Sequence, residues 1–207
     1  EYHRNWVMYD MFDKNDKFNI AGMKEKALEI LAKQDSLMAI FNTPANNPSG
    51  YSMTDEDWKE VTDFFRACAK DTGKKIIILW DMAYIDYAGD PDETRDFLKY
   101  FEDMPENILT AIAFSMSKAF SVYGMRGGAL FCLTTVKQIA DEFEQVNTYS
   151  NRTTWSNGAR GVQKMLVEIM THPEIKEQID RERDEASKML AKRAEVFLKE
   201  ADEVGLY

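Results

Sequence analysis

The sequence predicts an α/β fold in which a sheet is layered with helices. Two observations indicate it. Short apolar runs alternate with longer helical segments along the 207 residues, which is the pattern of a layered α/β sheet. One run, KKIIILWD (74–81), is continuous and β-branched, as is typical of a strand buried on both faces. A chain of this length can bury a large core within one domain.

The predicted elements follow one another without an internal repeat. Four strands are predicted, over residues 37–42, 74–81, 108–114 and 127–133. Between the first two, Thr54 and Asp57 form a capping pair for a helix that Gly73 ends. Other helical segments are predicted over about 92–103, 134–149, 159–170 and from Pro173 to about Asp202.

Composition excludes several kinds of partner. The formal net charge is −10 and is spread along the chain, which argues against nucleic acid because phosphate backbones attract basic patches. No apolar run has the length of a membrane span, so no membrane partner is expected. Cys68 and Cys132 are too few for a disulfide framework and favour buried thiols in a reducing compartment, so we expect a cytoplasmic protein. His3 and His172 lie far apart without ligands at metal spacing, and no metal site is expected.

The two ends of the chain indicate a portion of a larger protein. The sequence opens inside a pattern, and it closes with a long charged helix followed by EVGLY. We therefore expect an incomplete portion. The alternative is a small complete domain that ends in a helix.

Polar side chains gather where the predicted strands end. In chain order they are Asn47 after the first strand, Asp81 and Tyr84 after the second, Ser115, Ser117 and Lys118 after the third, and Arg126 in the next turn. Ligands bind at the carboxyl ends of the strands in open α/β sheets, so these side chains are expected to share one cleft. Taken singly, each also fits an ordinary role: a turn, a helix cap, a half-buried ring, a solvated lysine or a surface ion pair.

Four short motifs occur in an order that a known family shares: NNPSG (46–50), DMAY (81–84), SMSKAFSVYGMRGG (115–128) and RTTWSN (152–157). On these motifs the sequence resembles the class I aminotransferases of aspartate/aromatic type, pyridoxal-phosphate enzymes of fold type I. The resemblance covers essentially the whole chain. It implies a three-layer α/β/α sandwich with a mostly parallel sheet. Residues 1–171 are then a portion of the large cofactor-binding domain, and 172–207 are a long helix leading toward a small C-terminal domain that is absent.

The resemblance implies a catalytic role for three residues. Lys118 matches the lysine that forms the Schiff base with the cofactor and then moves the substrate α-proton. Asp81 matches the carboxylate that keeps the cofactor ring nitrogen protonated. Tyr84 and Asn47 match the pair of donors to the ring hydroxyl.

The remaining matches concern the phosphate and the substrate. Ser115, Ser117 and Arg126 match the hydroxyl and guanidinium donors that hold the cofactor phosphate. Asn47 and Arg152 match substrate contacts; in the family, this arginine reaches across a two-fold homodimer interface to the distal substrate carboxylate. The family's glycine-containing phosphate loop and stacking aromatic precede residue 1, and its α-carboxylate arginine follows residue 207.

The expected function is pyridoxal-phosphate-dependent transamination between an amino acid, either aspartate or an aromatic one, and a 2-oxo acid. This places the protein in amino-acid metabolism and biosynthesis. Two other classes stay open: another fold type I activity, such as a carbon–sulfur lyase or a decarboxylase, and a non-catalytic ligand-sensing module. Arg152 favours transamination because a second arginine can hold a side-chain carboxylate. A simple nucleotide-binding domain is disfavoured because neither GxGxxG nor GxxxxGK occurs.

Overall fold

The computed structural model describes residues 5–206, so the prediction for His3 lies outside the described residues. The chain forms two compact units. The first runs up to Ser115 and resumes over Gly128–Asn157, and the second comprises Met116–Gly127 and the residues from Gly158 onward. The chain therefore leaves the first unit and re-enters it once before its C-terminal helices. The predicted end of the large domain at residue 171 stays a prediction.

A four-stranded sheet forms the centre of the first unit. Its strands, in spatial order, are β1 (Ser36–Asn42), β2 (Lys75–Asp81), β3 (Ile108–Ser115) and β4 (Gly128–Leu133). The first three strands are parallel, and β4 is antiparallel to β3. The predicted mostly parallel sheet is therefore confirmed, and every predicted strand is present to within a residue at each end.

Six α-helices accompany these strands in the described part of the chain. They are α1 (Ile20–Lys33), α2 (Asp55–Thr72), α3 (Met116–Ala119), α4 (Lys137–Thr154), α5 (Arg160–Thr171) and α6 (Pro173–Glu203). Short 3-10 helices occupy Ile85–Tyr87, Glu93–Phe101 and Tyr123–Met125. The helix predicted over about 92–103 is thus a 3-10 helix. The first helix, α1, was not predicted, although Met23, Ala27 and Leu31 are buried at helical spacing.

Helix α2 begins and ends as its sequence predicts. Thr54 Oγ1 accepts a hydrogen bond from the Asp57 backbone N–H at 3.2 Å, and Asp57 Oδ2 accepts one from the Thr54 backbone N–H at 3.0 Å. This reciprocal pair satisfies two N–H groups that the first turn leaves without helical partners. Gly73 ends the helix with a φ of 67°, in the left-handed region that glycine adopts without steric cost.

The sheet buries one of its faces far more than the other. Ile76, Ile78 and Trp80 of β2 are fully buried, whereas Ile77 is 36% exposed. The prediction that this strand is buried on both faces is therefore wrong for this chain. Isoleucines fill both faces of the strand, so the sequence lacks the apolar–polar alternation that would have revealed the difference.

An aromatic cluster holds the buried face of the sheet against α2. Trp58 stacks on Phe97 with ring centroids 4.2 Å apart, and its centroid lies 4.5 Å from that of Trp80. Trp80 in turn stacks on Phe41 of β1 at 4.6 Å. Aromatic pairs of this kind contribute about 0.5–1.5 kcal/mol each beyond the area they bury. The cluster therefore fixes the strand whose last residue is Asp81.

The second unit joins the segment after β3 to the last two long helices. The Met116 backbone N–H donates to the Gly127 carbonyl at 3.1 Å, which closes this segment into a loop. Gly127 is needed there because a Cβ atom would lie 2.6 Å from a methyl group of Val162 in α5. From α6, Arg183 Nη1 donates to the Ala119 carbonyl at 3.3 Å. Both long helices therefore contact the short loop that carries Lys118.

Helix α6 is long and strongly charged. It has 31 residues and begins with proline at its first turn, where the missing N–H costs nothing. Lysine–aspartate pairs spaced four residues apart, Lys176 with Asp180 and Lys188 with Asp184, lie along it. Within residues 5–206, no helix combines the length and apolar character that crossing a membrane requires.

Candidate active site

The carboxyl ends of three neighbouring parallel strands carry polar side chains. β1 ends at Asn42, β2 at Asp81 and β3 at Ser115. The register pairs Asn42 with Asp81, and Asp81 with Ala113, two residues before Ser115. Side chains two residues apart point to the same face of a strand, so these three polar residues share one face at the edge where open α/β sheets bind ligands.

Asn47 and Tyr84 meet in the first unit, as the predicted pair requires. Asn47 Nδ2 donates a hydrogen bond to Tyr84 Oη at 3.2 Å. The neighbouring Asp81 has a local structural contact, because its Oδ1 accepts a hydrogen bond from the Ala83 backbone N–H at 3.2 Å. This unit therefore offers an amide, a phenol and a carboxylate, which suit an aromatic ring that carries a hydroxyl group and a protonated nitrogen.

Asn42 connects these residues, and the sequence analysis gave it no role. Its Oδ1 accepts hydrogen bonds from the Asn47 backbone N–H at 2.7 Å and from Asn46 Nδ2 at 3.1 Å. Its Nδ2 donates to the Asp81 carbonyl at 3.3 Å. One side-chain amide thus fixes both the loop that carries Asn47 and the end of β2. The signal available in the sequence was a polar residue closing an otherwise apolar strand.

The second unit brings together Ser117, Lys118 and Arg126. Ser117 is buried in α3, and Arg126 Nη1 donates to its Oγ at 3.3 Å and to the Tyr123 carbonyl at 2.9 Å. Lys118 Nζ and Arg126 Cζ each lie 4.9 Å from the centroid of the Tyr123 ring. A hydroxyl beside a guanidinium suits a phosphate group, and the lysine supplies an amine in the same short segment.

The backbone of Arg126 is unusual. Its φ is 54° and its ψ is 55°, in the left-handed region, which costs a residue with a side chain about 1–2 kcal/mol. The turn directs the guanidinium back toward Ser117, nine residues earlier in the chain. The strained backbone therefore accompanies the hydrogen bond between Arg126 and Ser117.

Arg152 lies in the last turn of α4, which extends beyond the predicted helix end at residue 149. Its side chain is exposed, and its Nη1 donates to the carbonyl and to the Oγ of Ser156 at 3.1 and 2.8 Å. The guanidinium is thus held at the C-terminal end of the helix. Its predicted contact with a substrate stays a prediction.

The environment of the two cysteines disfavours a nucleophilic role for either thiol. Cys68 is buried, Cys132 is half-buried, and both are free thiols. Burial raises the pKa of each thiol, which disfavours the reactive thiolate. Neither thiol therefore adds a nucleophile to the candidate site.

The family profile described as aminotransferase class I and II matches residues 2–207. The chain belongs to this family. A mitochondrial aspartate aminotransferase from Dictyostelium discoideum is 31% identical over 143 residues, which are 67% of this chain and 32% of the relative. A crystal structure of an aminotransferase from Anaerococcus prevotii is 38% identical with a TM-score of 0.94, and the match covers 98% of this chain and 49% of the other.

A more distant structure shares the fold alone. It is an aromatic-amino-acid aminotransferase from Burkholderia pseudomallei, covalently bound to pyridoxal phosphate, with a TM-score of 0.73 at 23% identity. The match covers 88% of this chain and 43% of that one. The predicted family and the predicted α/β fold, a mostly parallel sheet with helices on both sides, are confirmed. The chain spans about a third of the length of the curated relative and about half of the solved one.

Proposed function

We propose that the protein to which this chain belongs catalyses pyridoxal-phosphate-dependent transamination between an amino acid and a 2-oxo acid. One observation carries the proposal: Lys118 lies in the same closed loop as Arg126 and Ser117, whose side chains are in contact. An amine beside a phosphate-binding pair is what an aldehyde cofactor with a phosphate group requires. Membership of the aminotransferase family supports the same function.

The residues of the chain fit this cofactor. Ser117 and Arg126, with Ser115 at the end of β3, are proposed to bind its phosphate. Lys118 is proposed to bind its aldehyde carbon covalently and to move the substrate α-proton at Nζ. When bound, the cofactor supplies an electron sink for the bonds at the substrate α-carbon.

The ring of the cofactor has its own proposed contacts. The Asp81 carboxylate is proposed to hold the proton on the ring nitrogen, which the electron sink requires. Tyr84 Oη and Asn47 Nδ2, which are 3.2 Å apart, are proposed to orient the ring through its hydroxyl oxygen. Asn42 fixes the backbone on both sides of this set through its hydrogen bonds.

The proposed amino donors are aspartate and aromatic amino acids. The intact protein, loaded with pyridoxal phosphate, is assayed against a panel of amino acids with 2-oxoglutarate. We expect glutamate and the matching keto acid in equal amounts from aspartate or an aromatic donor, and neither product when the cofactor is omitted. Release of carbon dioxide or a thiol without amino transfer would instead assign a decarboxylase or a carbon–sulfur lyase. A protein that binds ligands but yields no product would fit a sensing module.

We further propose a cytoplasmic homodimer in which Arg152 contacts the substrate bound to the partner subunit. Lys118→Ala and Arg152→Ala are each expected to be inactive toward aspartate. When the two variants are unfolded and refolded together, about half of the dimers are mixed, and each mixed dimer has one intact site. Activity should therefore return to about a quarter of that of refolded wild type.

The controls for this mixing experiment are the two variants, each refolded alone, which should stay inactive. If Arg152 acts in its own subunit, no mixed dimer has an intact site and no activity returns. Full activity of Arg152→Ala toward dicarboxylic substrates would remove the residue from substrate binding altogether.

A further inference from the structure

The ring of Tyr123 contacts two cationic side chains of the candidate site. Lys118 Nζ and Arg126 Cζ each lie 4.9 Å from its centroid. Tyr123 itself is 65% exposed, so the hydrophobic core does not require its ring. The residue stands five positions after the lysine and three before the arginine, and neither the sequence motif nor the proposed function gives it a role.

An aromatic ring beside two cations has a clear electrostatic effect. Two positive charges close together repel each other, whereas the negative face of an aromatic ring attracts both. Each such contact contributes about 0.5–1 kcal/mol at an exposed position. The ring of Tyr123 therefore favours the arrangement in which Lys118 and Arg126 stay in the same small region.

The main chain of Tyr123 makes a separate contact with the same arginine. Its carbonyl accepts a hydrogen bond from Arg126 Nη1 at 2.9 Å, and this bond does not depend on the side chain at position 123. Replacing the ring therefore leaves the main-chain contact available. The contribution of the ring can be measured by itself.

We propose that Tyr123 is a positioning residue that prepares Lys118 and Arg126 for cofactor capture. The inference rests on the proposed function, because it concerns how the cofactor is first bound. Through Arg126, the ring favours binding of the phosphate group. Through Lys118, it favours approach of the amine to the aldehyde. In the capture step, Nζ forms a double bond to the aldehyde carbon, and the aldehyde oxygen leaves as water with the two protons of the neutral amine.

Two ligands separate the two effects in the intact, cofactor-free protein. Pyridoxamine 5′-phosphate has no aldehyde, so its Kd reports phosphate and ring binding without a covalent bond. Pyridoxal phosphate reports covalent capture through the rate at which the imine absorbance appears. Tyr123→Leu is expected to raise the Kd and to slow capture, each by about two- to fivefold, which is the cation–π contribution converted to an equilibrium or rate ratio.

Two matched variants show whether the ring itself is responsible. Tyr123→Phe keeps the ring face, so its Kd and capture rate should stay within about twofold of wild type. Tyr149→Leu removes a comparably exposed tyrosine, 72% exposed in α4, and should change neither value. A double-mutant cycle with Arg126→Ala tests the route: without the guanidinium, Tyr123→Leu should no longer affect the Kd of pyridoxamine 5′-phosphate.

The possible results are distinguishable. Wild-type values for Tyr123→Leu, or equal losses for the leucine and phenylalanine variants, would overturn a positioning role for the ring. An unchanged effect in the Arg126→Ala background would overturn the route through the arginine. A wild-type protein that fails to capture pyridoxal phosphate would overturn the proposed function, and this inference with it.

Discussion

Lys118→Ala is expected to abolish covalent attachment of pyridoxal phosphate and to reduce transamination by at least about 10²–10⁴-fold, the contribution of a positioned acid–base group. The variant loses the only amine that the proposed function assigns to the aldehyde, and with it the base for the α-proton. The phosphate-binding residues Ser117 and Arg126 remain, so non-covalent binding of pyridoxamine 5′-phosphate should persist. Absorbance of the loaded protein and initial rates measure the two losses.

Chemical trapping identifies the lysine directly. Borohydride treatment of the loaded wild-type protein should fix the cofactor to the peptide that contains Lys118. Lys137→Ala is the matched control, because Lys137 is an exposed lysine paired with Asp141 at 2.7 Å and should leave trapping and turnover unchanged. Recovery of the label on Lys137, or on no lysine, would contradict the assignment of Lys118.

Asp81→Ala is expected to keep the covalent cofactor but to lose about 10²–10³ in kcat, equivalent to about 2.7–4 kcal/mol. The carboxylate is proposed to stabilise the proton on the ring nitrogen, and without it the ring withdraws electrons poorly. Lys118 and the phosphate-binding residues are unchanged, so the absorbance of the bound cofactor should appear in the variant. Single-turnover rates with a saturating amino acid measure the loss in the chemical step.

A second substitution separates the charge of Asp81 from its structural contact. Asp81 Oδ1 accepts a hydrogen bond from the Ala83 backbone N–H, and Asp81→Asn can keep this acceptor while removing the negative charge. If the charge acts on the cofactor, the asparagine variant should lose about as much turnover as the alanine variant. Near-normal turnover in Asp81→Asn would show that the residue holds only the turn after β2.

Local signals account for the parts of the fold that the sequence predicts. The apolar runs end at glycines, prolines and polar residues, so the strand bounds could be located to within a residue. The capping pair of α2 is a contact within one turn and needs no tertiary information. The exposure of Ile77 depends instead on which segments cover the second face of the sheet, and a run of isoleucines does not carry that information.

Helix α4 is longer than the sequence predicts, because it ends at Thr154 and not at residue 149. Residues 150–154 read SNRTT, and serine, asparagine and threonine favour turns and caps over helix interiors. In the structure the helix continues through them, and Thr153 Oγ1 donates to the Tyr149 carbonyl one turn earlier at 3.0 Å. The hydrogen bond from the Thr153 side chain to the preceding turn thus accompanies the last turn of the helix. The intrinsic helix propensities of residues 150–154 alone predict an earlier end.

Some residues of the candidate site could likewise be predicted from the sequence, and others could not. The positions of Asp81 and Ser115 at the ends of predicted strands indicate that they lie at one edge of the sheet, because the carboxyl ends of parallel strands are aligned there. The hydrogen bonds of Asn42 depend on the conformation of the loop that carries Asn47, and the contacts of Tyr123 depend on that of the loop between Met116 and Gly127. No fixed sequence spacing specifies either loop conformation. The candidate residues for the proposed chemistry could therefore be named from the sequence, whereas the contacts of Asn42 and Tyr123 are visible only in the structure.

The left-handed backbone conformation of Arg126 favours glycine at this position, whereas the proposed phosphate binding requires the arginine side chain. Glycine would adopt the φ of 54° without strain, but it would remove the guanidinium proposed to bind the cofactor phosphate. Glycine would also lose the hydrogen bonds that Arg126 donates to Ser117 and to the Tyr123 carbonyl, which offsets the relief of strain, whereas selection for catalysis should retain arginine. In a mutational library, the ranking of variants at this position would depend on whether survival of heat or turnover was scored.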